Sequence, residues 1–472
     1  MPPDVATVVY VVLILALFWL DRDREARISK ALWIPALWLL INGSRPVSLW
    51  LQIGPTIDSP EKYLEGSPVD ALVYGTLLAA GLIVLVRRGR QVGLLLRANG
   101  PILLFFFYCA LSTLWSDYPF VAFKRWTKAV GDVVMVLVLL TDPDRLSALK
   151  RVLARAGFVL VPLSVLLIKY YPDLGRSYNP WTWVPVYSGV TTTKNGLGMI
   201  CLVYGLACLW CFLSAYRGQK GRERARRLIA HGIILAMAFW LLWMSNSMTS
   251  ISCFIMAGGL MAMTSLIRFA RKPLIVHLLV AALVSVTFSA LFLGAGGGAL
   301  ETMGRDSSLT GRTDIWSIVL SVARNPFLGT GFESFWLGDR LQSVWNGFGL
   351  HIQEAHNGYL EVYLNGGWVG VAMLAIIIMT GYRNIIRALR ENQDASCLKL
   401  GLFVAGVLYS FTEAGFRMLS PIWLAFLLAV TAVPDATAPE RLPSTDIESS
   451  RQSDGLEPHL GQMINLEPSG GV

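Results

Sequence analysis

The chain has 472 residues, of which 54% are apolar and 15% charged, with a formal net charge of +9 and a mean hydropathy of +0.54. A soluble domain carries about 25% charged residues, so soluble, disordered, collagen-like and disulfide-stapled secreted classes are all excluded. Apolar runs recur from end to end, each near the roughly 20 residues that cross a bilayer as a helix. The chain reads as an all-α polytopic membrane protein.

In chain order the candidate spans cover residues 5–20, 31–51, 69–86, 99–115, 129–141, 156–170, 193–214, 229–245, 250–267, 274–294, 359–380, 399–413 and 421–433. The fifth and the last two are short, so the count is twelve or thirteen transmembrane helices. The first run lacks a basic leader and a small-residue cleavage site, and Asp21-Arg22-Asp23-Arg24 follows it. It reads as a retained helix rather than a signal peptide. Basic clusters fall on alternate loops, at Arg22 to Lys30, Arg87 to Arg97, Arg145 to Arg155, Arg217 to Arg227, Arg268 to Lys272 and Arg383 to Lys399. One orientation satisfies all of them, with the N-terminus outside and the C-terminus in the cytoplasm. No basic stripe of the kind that neutralises nucleic-acid phosphates is present, so no nucleic-acid partner is expected.

The opposite face carries the loops 52–68, 116–128, 171–192, 295–358 and 414–420 and a tight hairpin at Ser245-Asn246-Ser247. The longest, 295–358, includes Trp316, Phe327, Phe332, Phe335, Trp336, Trp345 and Phe348. Such a loop is expected to fold as short helices lying against the outer membrane face. Residues 1–433 thus form one transmembrane domain containing this large periplasmic loop, and the Pro-, Ser- and acid-rich segment 434–472 reads as a disordered cytoplasmic tail. The six cysteines lie in or beside apolar runs without zinc-ligand spacing, and read as small buried hydrophobes.

Most signatures of soluble enzymes are absent: there is no phosphate-binding glycine loop, no His-Glu-x-x-His and no Gly-x-Ser-x-Gly. Of the histidines, only His351 and His356 fall in an outer loop. His356 stands in Glu354-Ala355-His356-Asn357-Gly358-Tyr359-Leu360-Glu361, just before an apolar helix. It serves there either as a base near neutral pH or as a helix cap. Arg312, in Ser308-Leu309-Thr310-Gly311-Arg312-Thr313-Asp314-Ile315-Trp316, is either a phosphate fork at a helix start capped by Ser308 or Thr310, or a structural partner of Asp314 or Glu333.

Arg176 and Lys194-Asn195 are outer-face groups that run against the positive-inside bias, and read as anion ligands or snorkelling anchors. Lys124, Arg125 and Lys128 form a further basic group, and Glu413 and Arg417 flank the last outer turn, where they are expected to pair. Arg45 inside the second span needs a partner or water. Asp58 and Glu61, flanked by prolines, make an unconvincing metal pair. Taken together, Arg176, Lys194 and Arg312 are placed to hold a pyrophosphate and His356 to activate a hydroxyl. The apolar spans are placed to hold an isoprenoid tail.

Gly311-Arg312-Thr313-x-x-Trp316, then Asn325-Pro326-Phe327-Leu328-Gly329-Thr330-Gly331-Phe332, then Ala355-His356-Asn357-Gly358-Tyr359-Leu360-Glu361, resembles the O-antigen ligase and polysaccharide polymerase superfamily in order and spacing. Thr193-Lys194-Asn195-Gly196-Leu197-Gly198, Leu114-Trp115-Ser116 and the Ser245-Asn246-Ser247 hairpin also fit. Gly43-Ser44-Arg45-Pro46-Val47-Ser48 is similar to the exopolysaccharide-polymerase branch. Thr193 stands where many polymerase-like relatives carry His before Lys-Asn. The similarity spans roughly residues 95–430.

The resemblance implies a bacterial inner-membrane glycosyltransferase of the GT-C type, metal-independent, inverting and without a cofactor. It would move a glycan from an undecaprenyl-diphosphate carrier to an acceptor saccharide, either a lipid-linked repeat unit or a lipid core, on the periplasmic face. Arg312 is then associated with the diphosphate and His356 with the acceptor hydroxyl. Arg176, Lys194, Asn195, Glu354, Asn357 and Arg417 make up the substrate-binding set. Two other functions share the same gross features: a flippase or transporter, which would place its ionisable residues at the midplane of its helices, and oligosaccharyl transfer to protein. A membrane scaffold acting through the large loop and the tail is a third.

Overall fold

The computed structural model describes residues 1–23, 29–53, 66–178, 183–218, 220–267, 272–292, 312–348, 351–391 and 393–434. Residues 1–434 pack as one unit. The expected cytoplasmic tail, the Asp58/Glu61 pair and the Ser308 or Thr310 cap lie outside the described residues.

The first half of the bundle consists of α1 (Pro3–Leu20), α2 (Trp33–Asn42), α3 (Val47–Trp50), α4 (Pro68–Arg87), α5 (Gly89–Ala98), α6 (Gly100–Ser112), α7 (Pro119–Leu140) and α8 (Arg145–Tyr170). A one-turn helix α9 (Pro172–Gly175) and a hairpin β1 (Arg176–Tyr178) and β2 (Pro185–Tyr187) follow. Then come α10 (Lys194–Arg217), α11 (Arg222–Ser245), α12 (Met248–Leu266) and α13 (Pro273–Phe292). The large loop contributes α14 (Arg312–Ser321) and α15 (Gly338–Phe348), and the chain closes with α16 (Gly358–Glu391), α17 (Gln393–Tyr409) and α18 (Pro421–Val430). Among the described residues the hairpin is the sole sheet, pairing Arg176 with Tyr187.

Each expected span contains a helix, and the protein is all-α and polytopic. Eight helices are long and apolar enough to cross a membrane, or nine if the bent pair α5 and the helix from Gly100 to Trp115, at 89°, is one span. The remaining expected spans are shorter or more charged. Residues 30–42 and 421–430 are short apolar helices, α17 has 17 residues, and α7 carries Lys124, Arg125, Lys128 and Asp132. The expected span 31–51 is corrected: it breaks at Gly43-Ser44-Arg45-Pro46, because Pro46 cannot continue a helix and leaves only the single turn α3 beyond it.

α8 and α10 are buried along most of their length, whereas α1, α4 and α13 present most of their surface outward. Leu72, Val86 and Trp243 are among the exposed apolar side chains, as expected where the solvent is lipid tail. Close approach relies on small residues. A Cβ on Gly131 of α7 would lie 2.2 Å from the ring of Trp38, which is fully buried. All six cysteines are free and buried, in agreement with their reading as hydrophobes.

Polar contacts gather the helix ends into two sets. At one end Asp23 pairs with Arg227 and Asp21 with His231, Arg88 with Asp142, and Arg217 with Asp394. These are the ends that carry the basic clusters. At the other end Thr7 bonds Tyr171, Asn195 bonds Glu413 and Thr249 bonds Thr412. Arg45 finds its partners in backbone oxygens, donating to Thr191, Gly189 and Leu174, and its guanidinium lies over Trp50.

The large loop folds as short helices, as expected, and most of its aromatics share a small core, whereas Phe332 packs on the main core and Phe327 is exposed. Phe335, Trp336, Leu341, Val344 and Trp345 are buried together with Ile315 and Val319. This unit docks on the break in α16, where Gly367 has φ +59° and ψ −164°. The amide groups of Trp368 and Val369 that the break frees donate to the carbonyls of Pro326 and Phe327. Asn365 Oδ1 accepts from Ser334 and Phe335 at 2.9 and 3.0 Å. The stretch Asn325 to Phe332 is therefore the clasp that satisfies the backbone amides freed by the break.

Candidate active site

Arg312 and Trp316 stand one helical turn apart on one face at the start of α14. Trp316 reaches the loop 351–357. Trp316 Nε1 donates to the carbonyl of Ala355 at 2.8 Å. From the other side, the buried carboxylate of Glu361 accepts the Ala355 amide at 2.6 Å and Trp336 Nε1 at 2.9 Å. With both backbone polar groups of the preceding residue held, His356 is fixed in a left-handed conformation, φ +49°. Such a conformation in a non-glycine residue persists only where its surroundings over-determine it.

Glu413 sits between the two expected catalytic residues, its side chain only 4% exposed. Its Oε1 accepts from Arg312 Nη2 at 2.8 Å and from Asn195 Nδ2 at 3.0 Å. Its Oε2 accepts from His356 Nδ1 at 3.2 Å, an atom that also lies 3.1 Å from Oε1 of Glu354. Arg417 extends the chain of alternating charge, with Nε 3.4 Å from Glu333 Oε2, Nη1 4.0 Å from Glu354 Oε2, and a hydrogen bond to the Gln353 carbonyl. Glu333 in turn offers its own carbonyl to Arg125.

A carboxylate can only accept, so the proton of a neutral His356 resides on Nδ1 and the lone pair on Nε2. Nε2 has no protein partner among the described residues. Burial opposes charging of this ring, but the hydrogen bond to Glu413 and the negative charges of Glu354 and Glu413 outweigh burial and the Arg312 charge. The net result is a pKa above the ordinary histidine value. The arrangement is that of a base oriented by a buried acid.

Glu354, His356 and Glu413 also offer three donor atoms within 4.8 Å of one another, a set that spacing in the sequence did not suggest. Protein cations already lie against its two carboxylates, Arg312 at 2.8 Å from Glu413 and Arg417 at 4.0 Å from Glu354.

Several expectations are corrected here. Glu413 does not pair with Arg417, and Arg312 pairs with neither Asp314 nor Glu333: the turn 414–420 aims Glu413 inward and Arg417 across to Glu333. Arg176 is not brought to the group; its Nε donates to the Ile168 carbonyl at 2.7 Å and its guanidinium lies over Tyr187, so it braces the hairpin. Asn357 Oδ1 accepts from the amides of Tyr359 and Leu360, which makes it the N-cap of α16. Lys194 is exposed at the first position of α10, next to Asn195, with no side-chain partner among the described residues. Asn195 and Glu354 do join His356 and Arg312.

The residues missed in the sequence as members of the site are Glu413 and Glu333. A signal for Glu413 was present, since an acid in Phe411-Thr412-Glu413-Ala414-Gly415 between two apolar runs must find a cation or a donor.

Residues 184–375 match the family model described as O-antigen ligase. The chain is also 25% identical over 346 residues, 70% of its length and 75% of the relative's, to the exopolysaccharide production protein ExoQ of Rhizobium meliloti strain 1021. The resemblance carried by the motifs around Arg312 and His356 is borne out: the chain is similar to the O-antigen ligase and polymerase superfamily.

Proposed function

With that family match as premise, we propose that the protein is a glycosyltransferase of surface polysaccharide assembly. It moves a glycan from an undecaprenyl-diphosphate carrier to an acceptor hydroxyl, as a polymerase or a ligase. The observation that carries this reading is the contact of one buried carboxylate, Glu413, with both Arg312 and His356. Arg312 uses a single nitrogen on Glu413, which leaves the rest of its fork for the diphosphate. Lys194 and the start of α10, with the positive end of its helix dipole, supply further attraction for an anion. His356 Nε2 takes the proton of the attacking hydroxyl as the new glycosidic bond forms, and the diphosphate departs with the electrons of the broken bond.

Attack from the side opposite the leaving diphosphate inverts the anomeric centre, and the stabilisation that the step needs comes from fixed cations. By the positive-inside bias, the end that carries His356 faces the periplasm of an inner-membrane protein, with the N-terminus on that side and the C-terminus in the cytoplasm. The concentration of ionisable groups in the outer loops supports an enzyme over a flippase.

The test is deletion of the gene in its host, with sizing of carrier-linked glycan and His356→Ala as complement at matched protein level. Single repeat units that accumulate without long polymer mark a polymerase, and long polymer stranded on the carrier marks a ligase. Carrier-linked glycan trapped on the cytoplasmic face, or full complementation by His356→Ala, overturns the proposal.

A further inference from the structure

The other end of the bundle holds a second polar site that the proposed transfer does not use. α10 is 24 residues long, or about 36 Å of helix, and its far end borders a cavity of about 280 Å³ lined by Asp23, Lys150, Arg151, Arg224 and Arg227, among others. This cavity shares Asp21, Asp23 and Arg151 with a neighbouring one of about 690 Å³, whose other walls are Arg22, Arg155, Phe18, Ala154 and Phe158.

The two walls together hold three acids, Asp21, Asp23 and Glu223, against six lysines and arginines, and two of the acids are engaged. Asp21 pairs with His231 at 3.1 Å and Asp23 with Arg227 at 2.9 Å. The cations are in excess. Lys150 donates to Ser214 and lies over Trp210. Arg151 donates to the backbone carbonyl of Asp23, Arg155 lies 4.0 Å over the ring of Trp33, and Arg224 lies over Tyr216. Arg22 is exposed. Among the described residues, none of these five has a carboxylate within ion-pair distance. Lys150 and Arg224 line the smaller cavity, Arg22 and Arg155 the larger, and Arg151 both; cations gathered in this way repel each other, and an anion that several of them share stabilises them. The larger cavity also has an apolar wall of Phe18, Ala154 and Phe158, with the rings of Phe18 and Phe158 edge to face at 5.8 Å.

We infer that this cavity binds a phosphate ester, with the phosphate oxygens on Arg151, Arg155 and Arg22, and the organic part of the ligand along Phe18 and Phe158. An anionic lipid headgroup and a soluble phosphate compound share that chemistry, and basic pockets between membrane helices take such headgroups. The site is separate from the His356 group, so it stands or falls independently of the proposed transfer.

The full chain is purified, and phosphatidylglycerol retained after detergent washing is counted by native mass spectrometry against phosphatidylcholine. In parallel, tryptophan fluorescence is titrated with inorganic pyrophosphate, since Trp33 and Trp210 lie beneath Arg155 and Lys150. Both are repeated on the double variant Arg151→Gln/Arg155→Gln, with Arg90→Gln as a charge control away from the cavity. Selective retention of phosphatidylglycerol that weakens at least about tenfold in the double variant identifies a lipid headgroup site. A saturable pyrophosphate response with the same loss identifies a soluble phosphate ligand. Equal binding in the double variant, a loss matched by Arg90→Gln, or no binding of either probe overturns the inference. Should the double variant not be monodisperse, Arg22→Gln, at an exposed side chain, reads the same loss.

Discussion

Replacing Glu413 by Gln tests the centre of the site with almost no change of shape. The amide keeps one oxygen, and the two donors from Arg312 and Asn195 converge on Oε1, so the oxygen stays there and the NH2 group turns to His356 Nδ1. A donor then faces a donor. The ring escapes by moving its proton to Nε2, which is the tautomer unable to accept a proton from the attacking hydroxyl. Loss of a general base is worth about 10²-fold or more, and the equivalent acid-to-amide change in a hydrolase triad drops the rate by about 10⁴. The expected loss in kcat is therefore about 10² to 10⁴, or about 2.7 to 5.5 kcal/mol of transition-state stabilisation.

The pH dependence gives an independent reading. His356 acts as a base only when neutral, so the rate rises with pH through its pKa. Because Glu413 and Glu354 raise that pKa, the acid limb of the wild-type kcat/KM profile is expected above about 6.5, the unperturbed histidine value. Removing the Glu413 charge moves the limb of the residual activity to lower pH. The assay is glycan transfer by the purified protein in liposomes loaded with carrier-linked repeat units, followed by product length on gels at matched protein amounts. A loss below about tenfold together with an unmoved acid limb would refute the orienting role of Glu413.

Three further outcomes are expected. Arg312→Lys is expected to lose at least about 10²-fold in transfer, since a point charge cannot hold Glu413 and a diphosphate oxygen at once; near-normal turnover in the same liposome assay would make Arg312 structural. Chelation with EDTA is expected to leave transfer unchanged, because Arg312 and Arg417 already lie against the carboxylates of the one His/Glu donor set among the described residues; loss restored by added divalent ion would assign a metal to Glu354, His356 and Glu413. Gly367→Ala is expected to destabilise the protein by about 3 kcal/mol or more, since its Cβ would stand 2.2 Å from the Phe327 carbonyl oxygen in a backbone region open only to glycine; a thermal midpoint in detergent equal to wild type would contradict the clasp described for residues 325–332.

Much of this protein is legible in one dimension. Hydropathy runs place a helix in every expected span, because a bilayer admits little else. The alternation of basic clusters anticipates which helix ends the structure brings together. The importance of Arg312 and His356 is also written locally, in motifs whose neighbours Trp316, Ala355 and Glu361 turn out to hold the loop in place. What no local pattern contains is the meeting of residues 195, 312, 354, 356 and 413, which lie on separate segments and touch only after packing. The same holds for Arg176, a cation as exposed in the sequence as Lys194, which folding commits to the Ile168 carbonyl. Hydrophobicity is a sum over neighbours along the chain, so it survives in the sequence. The pairing of buried charges depends on distances of a few ångströms across the bundle, and only the tertiary structure sets those.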